Sequence, residues 1–201
     1  MTPLPRLHAV TDDRVLRAPD FLHRANALAV GPEVAIHLRG RLSARELVQL
    51  ASSLHEAIAP RGTQLFVHDR ADVARLVGAM GLHLPGAGLP VAAARRVAVG
   101  IRWVGRSTHT PAEVAAAAAE GADYVFLGPI FPTASHPDRP PLGHAALGNA
   151  SLPVVAIGGV TPDRVSACVA AGAYGGAAIR ALWDADDPAA AARRFLLSFP
   201  Q

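Results

Sequence analysis

The chain has 201 residues, 51% hydrophobic and 17% charged, a balance that describes one compact soluble domain with a sizeable core and excludes a disordered polypeptide. The net charge of +3 comes from arginines spread along the chain without aromatic interleaving, which gives no nucleic-acid footprint. All 19 basic residues are arginine, so a Schiff-base mechanism through lysine is excluded.

No apolar run approaches the ~20 residues of a membrane span. The opening MTPLPRLHAV lacks the charged, apolar and small-residue zones of a secretion signal, so a cytoplasmic enzyme is expected. The single Cys168 excludes an internal disulfide, and its helical neighbours Val165 and Val169 mark it as a buried structural thiol.

In chain order, short β-branched or apolar runs alternate with longer segments rich in Ala, Leu and Arg. Strands are predicted near Leu7 to Val10, Val34 to Leu38, Gln64 to Val67, Leu82 to Leu84, Arg102 to Val104, Tyr124 to Leu127, Val154 to Ile157 and Gly176 to Ile179. Helices fill the gaps, most clearly Ser43 to Ala59, Pro111 to Glu120, Pro162 to Ala171 and Pro188 to Leu197. Ser43 with Glu46 reads as a capping box, and Thr110-Pro111 and Thr161-Pro162 each pair an N-cap with Pro at the first helical position. This count predicts an α/β fold, a single (β/α)8 TIM barrel over residues 1–201, rather than an open doubly wound sheet. Neither GxGxxG nor a P-loop sequence occurs, so no dinucleotide or nucleoside triphosphate site is expected. The proline-rich stretch Pro129 to Pro141 reads as a functional loop.

The carboxyl ends of barrel strands share one mouth, and the polar residues there form the candidate set. They are Thr11, Asp12 and Asp13 after the first strand, His37, Arg39 and Arg41 after the second, and His68 and Asp69 after the third. His83 sits in the fourth, Ser107 and His109 follow the fifth, and Thr133, Ser135 and His136 follow the sixth. Gly158-Gly159 and Ala178-Ile179-Arg180 close the last two strands as paired phosphate-binding turns, because missing side chains let backbone N–H groups approach an anion. Each residue also has a structural reading: Asp12 caps a turn, Asp69 caps the helix near Arg70, and His83 is a satisfied core histidine.

The motifs LHAVTDD (7–13), IHLRGR (36–41), GRSTHT (105–110), ADYVFLGPIFPTASH (122–136), VVAIGGVTPDRV (154–165) and AGAYGGAAIRAL (171–182) resemble, in order, those of the thiamine phosphate synthase and TenI family of small barrels. One branch joins a pyrimidine diphosphate to a thiazole phosphate. The other resembles an aromatase that isomerises a thiazole carboxylate phosphate. The synthase branch usually shows Gln-x-Arg-x-Lys in the second strand, Asn-Asp after the third, HLGQ-x-D after the fourth and Thr-Lys in the sixth-strand loop. Here the corresponding residues are His37-Leu38-Arg39-Gly40-Arg41, His68-Asp69, HLPGAGL (83–89) and Ser135-His136.

The resemblance implies two carboxylates holding Mg2+, of which Asp69 remains, with Gly88 in the window of the second and His136 in place of a diphosphate-binding lysine. The departures favour the TenI branch: a thiazole tautomerase needing no cofactor or metal. A synthase using Mg2+ and a non-catalytic phosphate-binding or regulatory barrel stand as alternatives. By resemblance His109 falls on the tautomerase's catalytic histidine, where an imidazole serves as both base and acid near neutrality. Arg39 and Arg41, with His37, His68 and Ser107, are expected to grip the phosphorylated thiazole, and Thr133, Ser135 and His136 to cover its ring. Arg180, where the family commonly has Ser, either adds charge to the phosphate site or faces solvent. No nucleic-acid or membrane partner is expected, and a homodimer is compatible with a barrel of this size.

Overall fold

The apolar runs fold as strands and the alanine-rich segments as helices throughout residues 3–134, 139–148 and 150–199, the residues described in this computed structural model. The first half comprises β1 (Leu7–Val10), α1 (Asp13–Leu16), α2 (Phe21–Leu28), β2 (Val34–Leu38), α3 (Ala44–Ile58), β3 (Gln64–His68), α4 (Ala71–Leu76), β4 (Gly81–Leu84) and α5 (Val91–Val97). The second half comprises β5 (Trp103–Thr108), α6 (Pro111–Ala119), β6 (Tyr124–Leu127), β7 (Val154–Ile157), α7 (Pro162–Ala170), β8 (Gly175–Ala178), α8 (Arg180–Trp183) and α9 (Pro188–Leu197). Each strand pairs in parallel with the next, and β8 returns to β1 through Leu7↔Gly176 and Ala9↔Ala178, closing an eight-stranded barrel. The predicted TIM barrel is therefore the observed fold.

Two packed layers hold it. Strand residues are buried on both faces, as parallel strands covered by helices must be. On α3, Leu47, Ala51, Leu54 and Ile58 recur at helical spacing and pack on the outer face of the barrel. The expected capping box is formed: Ser43 Oγ accepts from Glu46 N at 3.3 Å, and Glu46 accepts from Ser43 N at 2.9 Å. Thr110 caps α6 through Glu113 N. Thr161 has the extended backbone of an N-cap, but its side chain makes no capping bond. Cys168 is fully buried in the outer core, as predicted.

The inner layer differs from the usual aliphatic filling. Phe66, Tyr124, Phe126, Val155, Ala35 and Ala177 meet inside the barrel. Room for the rings comes from glycines on neighbouring strands: a Cβ at Gly81 would run into Phe66, and one at Gly105 into Tyr124. The fifth strand starts at Trp103 and extends to Thr108, beyond the expected Arg102 to Val104. Its polar residues alternate, Ser107 reaching His83 inside while Arg106 reaches outward to Glu120. The eighth strand is Gly175–Ala178, one residue earlier than expected, so Ile179 is the cap of α8 rather than strand.

Candidate active site

Four strands carry one histidine each into the barrel: His8 on β1, His37 on β2, His68 at the end of β3 and His83 on β4. His8, His37 and His83 are fully buried, and His68 is half-buried at the mouth. They form a directed line. His8 Nε2 lies 2.9 Å from the Pro5 carbonyl, which can only accept, so this nitrogen donates. His8 Nδ1 then accepts from His37 Nε2 at 2.8 Å, and His37 Nδ1 accepts from His68 Nε2 at 2.9 Å. His83 stands beside this line, with the Tyr124 hydroxyl 3.0 Å from Nδ1 and the Ser107 hydroxyl 2.9 Å from Nε2. Burial lowers His8 to about 3 and drives His37 and His83 well below the ordinary imidazole range. For His68, burial and then the nearby Arg39 guanidinium act in the same direction. The cluster is neutral near pH 7.

Above it the strand ends open into two adjoining cavities. The first, about 450 Å3, is lined by Ser107, His109, Thr133 and both glycine turns, Gly158-Gly159 and Ala178-Ile179-Arg180. The second, about 740 Å3, is lined by Asp12, Asp13, Arg41 and Asp69. Arg39, His68, Pro85, Ile179 and Arg180 line both, so the two spaces meet at one wall. Among the described residues, no carboxylate pairs with Arg39, Arg41 or Arg180, whereas Arg14, Arg70 and Arg106 have Asp184, Asp72 and Glu120.

His109 is fixed from two sides. Its Nδ1 donates to the Gly128 carbonyl at 2.6 Å, and its backbone N–H donates to Glu113 at 2.7 Å. Nε2 is left as the working nitrogen. Asp12 is committed locally, accepting from Val15 N at 2.9 Å as the cap of α1, and Asp13 accepts from Arg41 N at 2.6 Å. Asp69 is different: it is exposed and sits at φ +58, a left-handed conformation that non-glycine residues adopt at a cost. It does not cap the following helix, whose cap position is Arg70.

A model of the family described as thiamine monophosphate synthase matches residues 7–182. The chain belongs to this family. Thiamine-phosphate synthase of Methanoculleus marisnigri is 42% identical over 193 residues, covering 93% of this chain and 92% of that one. The enzyme of Mycobacterium bovis is 40% identical over 205 residues, covering 94% and 92%. Among solved structures, a thiamine phosphate pyrophosphorylase from Pyrococcus furiosus superposes with a TM-score of 0.82 at 26% identity, covering 96% of this chain and 94% of that one. A 3-hexulose-6-phosphate synthase, with a TM-score of 0.75 at 21% identity over 96% and 99% of the two chains, shares the fold alone. The relatives named here are synthases, so the expected isomerase of the TenI branch yields its first place to the transferase.

Family membership makes Mg2+ the implied metal, and the described residues offer it no preformed cage, only the separate carboxylates Asp12, Asp13 and Asp69 on the wall of the second cavity. Mg2+ needs oxygen ligands, yet among the described residues the one group of three side chains with ligand atoms within 4.8 Å of one another is His37, His68 and His83. Asp69 is exposed at the second cavity, while Asp12 accepts from Val15 N and Asp13 from Arg41 N. The loop is also closed to a replacement at position 88, where a Cβ would lie 2.8 Å from Pro85 Cδ.

Of the residues predicted from sequence, His109, Ser107, Thr133, Gly158, Gly159 and Ala178 line the first cavity, Arg41 and Asp69 the second, and Arg39, His68, Ile179 and Arg180 both. His37 is a correction: it lies within β2 rather than after it, lines neither cavity and touches other histidines. Ser135 and His136 lie outside the described residues. Gly158 and Gly159 have positive φ, +88 and +65, but the space their side chains would take is filled by the sixth-strand loop. A Cβ would stand 2.6 Å from Pro129 Cα at Gly158, and 2.6 Å from the Pro132 carbonyl oxygen at Gly159. Sequence reading missed Arg106, which is buried and donates to the carbonyls of Gly86 at 2.9 Å and Leu89 at 2.6 Å, tying down the loop after β4. It also missed His8. An Arg between Gly105 and Ser107 reads as a loop residue, and a lone His in an apolar strand carries no distinguishing signal.

Proposed function

We propose that the chain is a transferase of thiamine phosphate formation, joining a pyrimidine diphosphate to a thiazole phosphate. The carrying observation is the pair of cavities with a common wall at Arg39, His68, Pro85, Ile179 and Arg180. A two-substrate reaction needs adjoining spaces, and the synthase names of relatives 40–42% identical agree with it. The thiazole phosphate belongs in the first cavity, its phosphate against Gly158-Gly159 and Ala178-Ile179-Arg180. The pyrimidine diphosphate belongs in the second. There the pyrimidine methylene carbon leaves the diphosphate oxygen with the electron pair staying on oxygen, and the thiazole nitrogen forms the new bond.

Arg39, Arg41 and Arg180 supply the charge. Lacking acidic partners among the described residues, they are free to meet developing negative charge on the departing diphosphate. The chemistry asks for no proton carrier at bond cleavage, so His109 serves here as a cavity wall and hydrogen-bonding group.

One observation favours a second reading. His109, locked through Nδ1 to Gly128, offers Nε2 to the cavity that holds the phosphate grip, which suits proton transfer in a thiazole tautomerase. A single assay separates the readings. Purified protein given both substrates should release diphosphate only when the thiazole phosphate is present. No release, with appearance of aromatic absorbance from the exocyclic thiazole carboxylate phosphate, would replace the transferase by the tautomerase. Binding of thiazole phosphate without either turnover would leave a non-catalytic barrel. No described helix is long and apolar enough to cross a membrane.

A further inference from the structure

His37, His68 and His83 each bring one ring nitrogen within 4.8 Å of the other two. His37 Nδ1 and His68 Nε2 are 2.9 Å apart. In a tetrahedral site with metal–nitrogen bonds of ~2.0–2.1 Å, ligand nitrogens stand about 3.3 Å from one another. The pair already stands near that separation, and His83 needs a ring shift on the order of an ångström to complete it. We propose that His37, His68 and His83 form a three-imidazole site for a borderline divalent transition ion such as Zn2+, Co2+ or Ni2+, entered from the mouth past His68.

Neutral imidazole suits these ions, and a ligating histidine needs its second nitrogen held by an outer partner. Outer partners are present for His37 and His83. His37 Nε2 donates to His8 Nδ1, and His8 is itself anchored on the Pro5 carbonyl, which leaves His37 Nδ1 as a lone pair facing the cluster. His83 has a hydroxyl on each nitrogen, so whichever one turns to the metal, Tyr124 or Ser107 keeps the other. His68 now holds its proton on Nε2. Moving that proton to Nδ1 frees Nε2 without releasing a proton to solvent. The three ligands are uncharged, and Arg39 stands close enough to depress His68 and His83. The remaining position is therefore suited to an anionic oxygen, a hydroxide or a substrate carboxylate or phosphate, which Arg39 would also face. This site is separate in composition from the carboxylate Mg2+ site the family implies, and it does not depend on which reaction the mouth performs.

The test uses the intact chain, stripped with chelator and dialysed, then titrated with Co2+. One equivalent should bind with the visible d–d absorption of a four- or five-coordinate ion, Zn2+ should displace it, and Mg2+ should not. The zinc X-ray absorption spectrum should contain imidazole scattering. His68→Gln, at the half-buried edge, should weaken binding by at least ~10-fold, and Tyr124→Phe or Ser107→Ala by roughly 10-fold, the lower end of outer-partner losses. Absence of one-equivalent binding by wild type, a shell of oxygens alone, or an unchanged Co2+ spectrum in His68→Gln would each overturn the site. The wild-type spectra decide the matter even if a variant does not fold.

Discussion

His109 Nδ1 donates to the carbonyl oxygen of Gly128 at 2.6 Å, linking the end of β5 to the start of the loop after β6. The bond fixes the ring, and it also separates the two reactions weighed above. His109→Gln retains an N–H donor for Gly128 but cannot exchange a proton near neutrality. A transferase, whose slow event is charge separation, should lose less than about 10-fold in kcat. A tautomerase should lose at least ~100-fold, the lower end of general acid–base contributions. Rates with both substrate sets decide. A transferase loss above 100-fold would give His109 a proton-transfer role that the proposed reaction lacks.

Arg39 lines both cavities and has no acidic partner among the described residues. Arg39→Gln removes a charge that stands beside both substrates, so it should lower kcat/KM by at least ~100-fold, as loss of a single preorganised charge-stabilising donor does. Arg180→Gln should act in the same direction with a larger share in KM for thiazole phosphate, because Arg180 belongs to the turn proposed to hold its phosphate. Unchanged kinetics in both variants would remove the arginine account of diphosphate departure.

The glycine turns lead to a different outcome from the one their sequence implies. Gly159→Val would place a β-branched side chain at φ +65 against Pro132 and Phe131 of the neighbouring loop. The cost should be about 1–3 kcal/mol from backbone strain alone, with more from displacing the loop. Thermal unfolding should therefore fall by several degrees, and thiazole phosphate affinity should fall because the loop has moved. A variant with unaltered melting but weakened phosphate binding would show that the anion, not the loop, occupies that space.

Acid should unfold the metal-free protein through its buried imidazoles. His8 is lowered to about 3, and His37, His68 and His83 are also depressed, while in the unfolded chain each returns toward 6.5. The unfolded state therefore binds more protons between those limits. The stabilisation is complete above pH ~6.5 and is lost as pH falls toward ~3, by up to about 1.4 kcal/mol per pH unit for each histidine. Urea midpoints between pH 4 and 8 should trace this slope, and His83→Phe should flatten it. A midpoint independent of pH below 6 would mean that the cluster takes up protons while folded.

Mg2+ alone should not bind. Asp12 and Asp13 share the cavity of Asp69 but hold backbone N–H groups, and among the described residues no three carboxylates converge, so calorimetric titration with Mg2+ in the absence of diphosphate should give no saturable heat in the micromolar range. A saturable site lost in Asp69→Asn would restore the metal that the family implies.

Much of this was legible in the sequence because a parallel barrel writes itself as β-branched runs separated by capped helices. Ser43-Glu46 and Thr110-Pro111 stand where their chemistry requires. The polar residues after the strands could be listed for the same reason, since every strand end faces one mouth. What could not be read was depth and partition. His37 lies in β2 and Arg39 two residues on, just past its end, yet one is fully buried and the other lines both cavities. The end of β5 was hidden because Arg106 and Ser107 look like loop residues until the opposite faces they serve are known. Gly88 read as a lost metal ligand, but its contact with Pro85 depends on the path of the loop, which composition does not encode.

That path is dictated from outside. Arg106 grips the loop after β4 through main-chain oxygens, at Gly86 and Leu89, and these oxygens are the same whatever side chains the loop carries. The segment from Pro85 to Leu89 is thus free to drift in sequence while its course through space is retained. Such a lineage can exchange the chemistry of one wall of the mouth without rebuilding the barrel beneath it. Position 88 is the exception within this loop: a Cβ there would stand 2.8 Å from Pro85 Cδ, so any side chain at 88 requires Pro85 to shift.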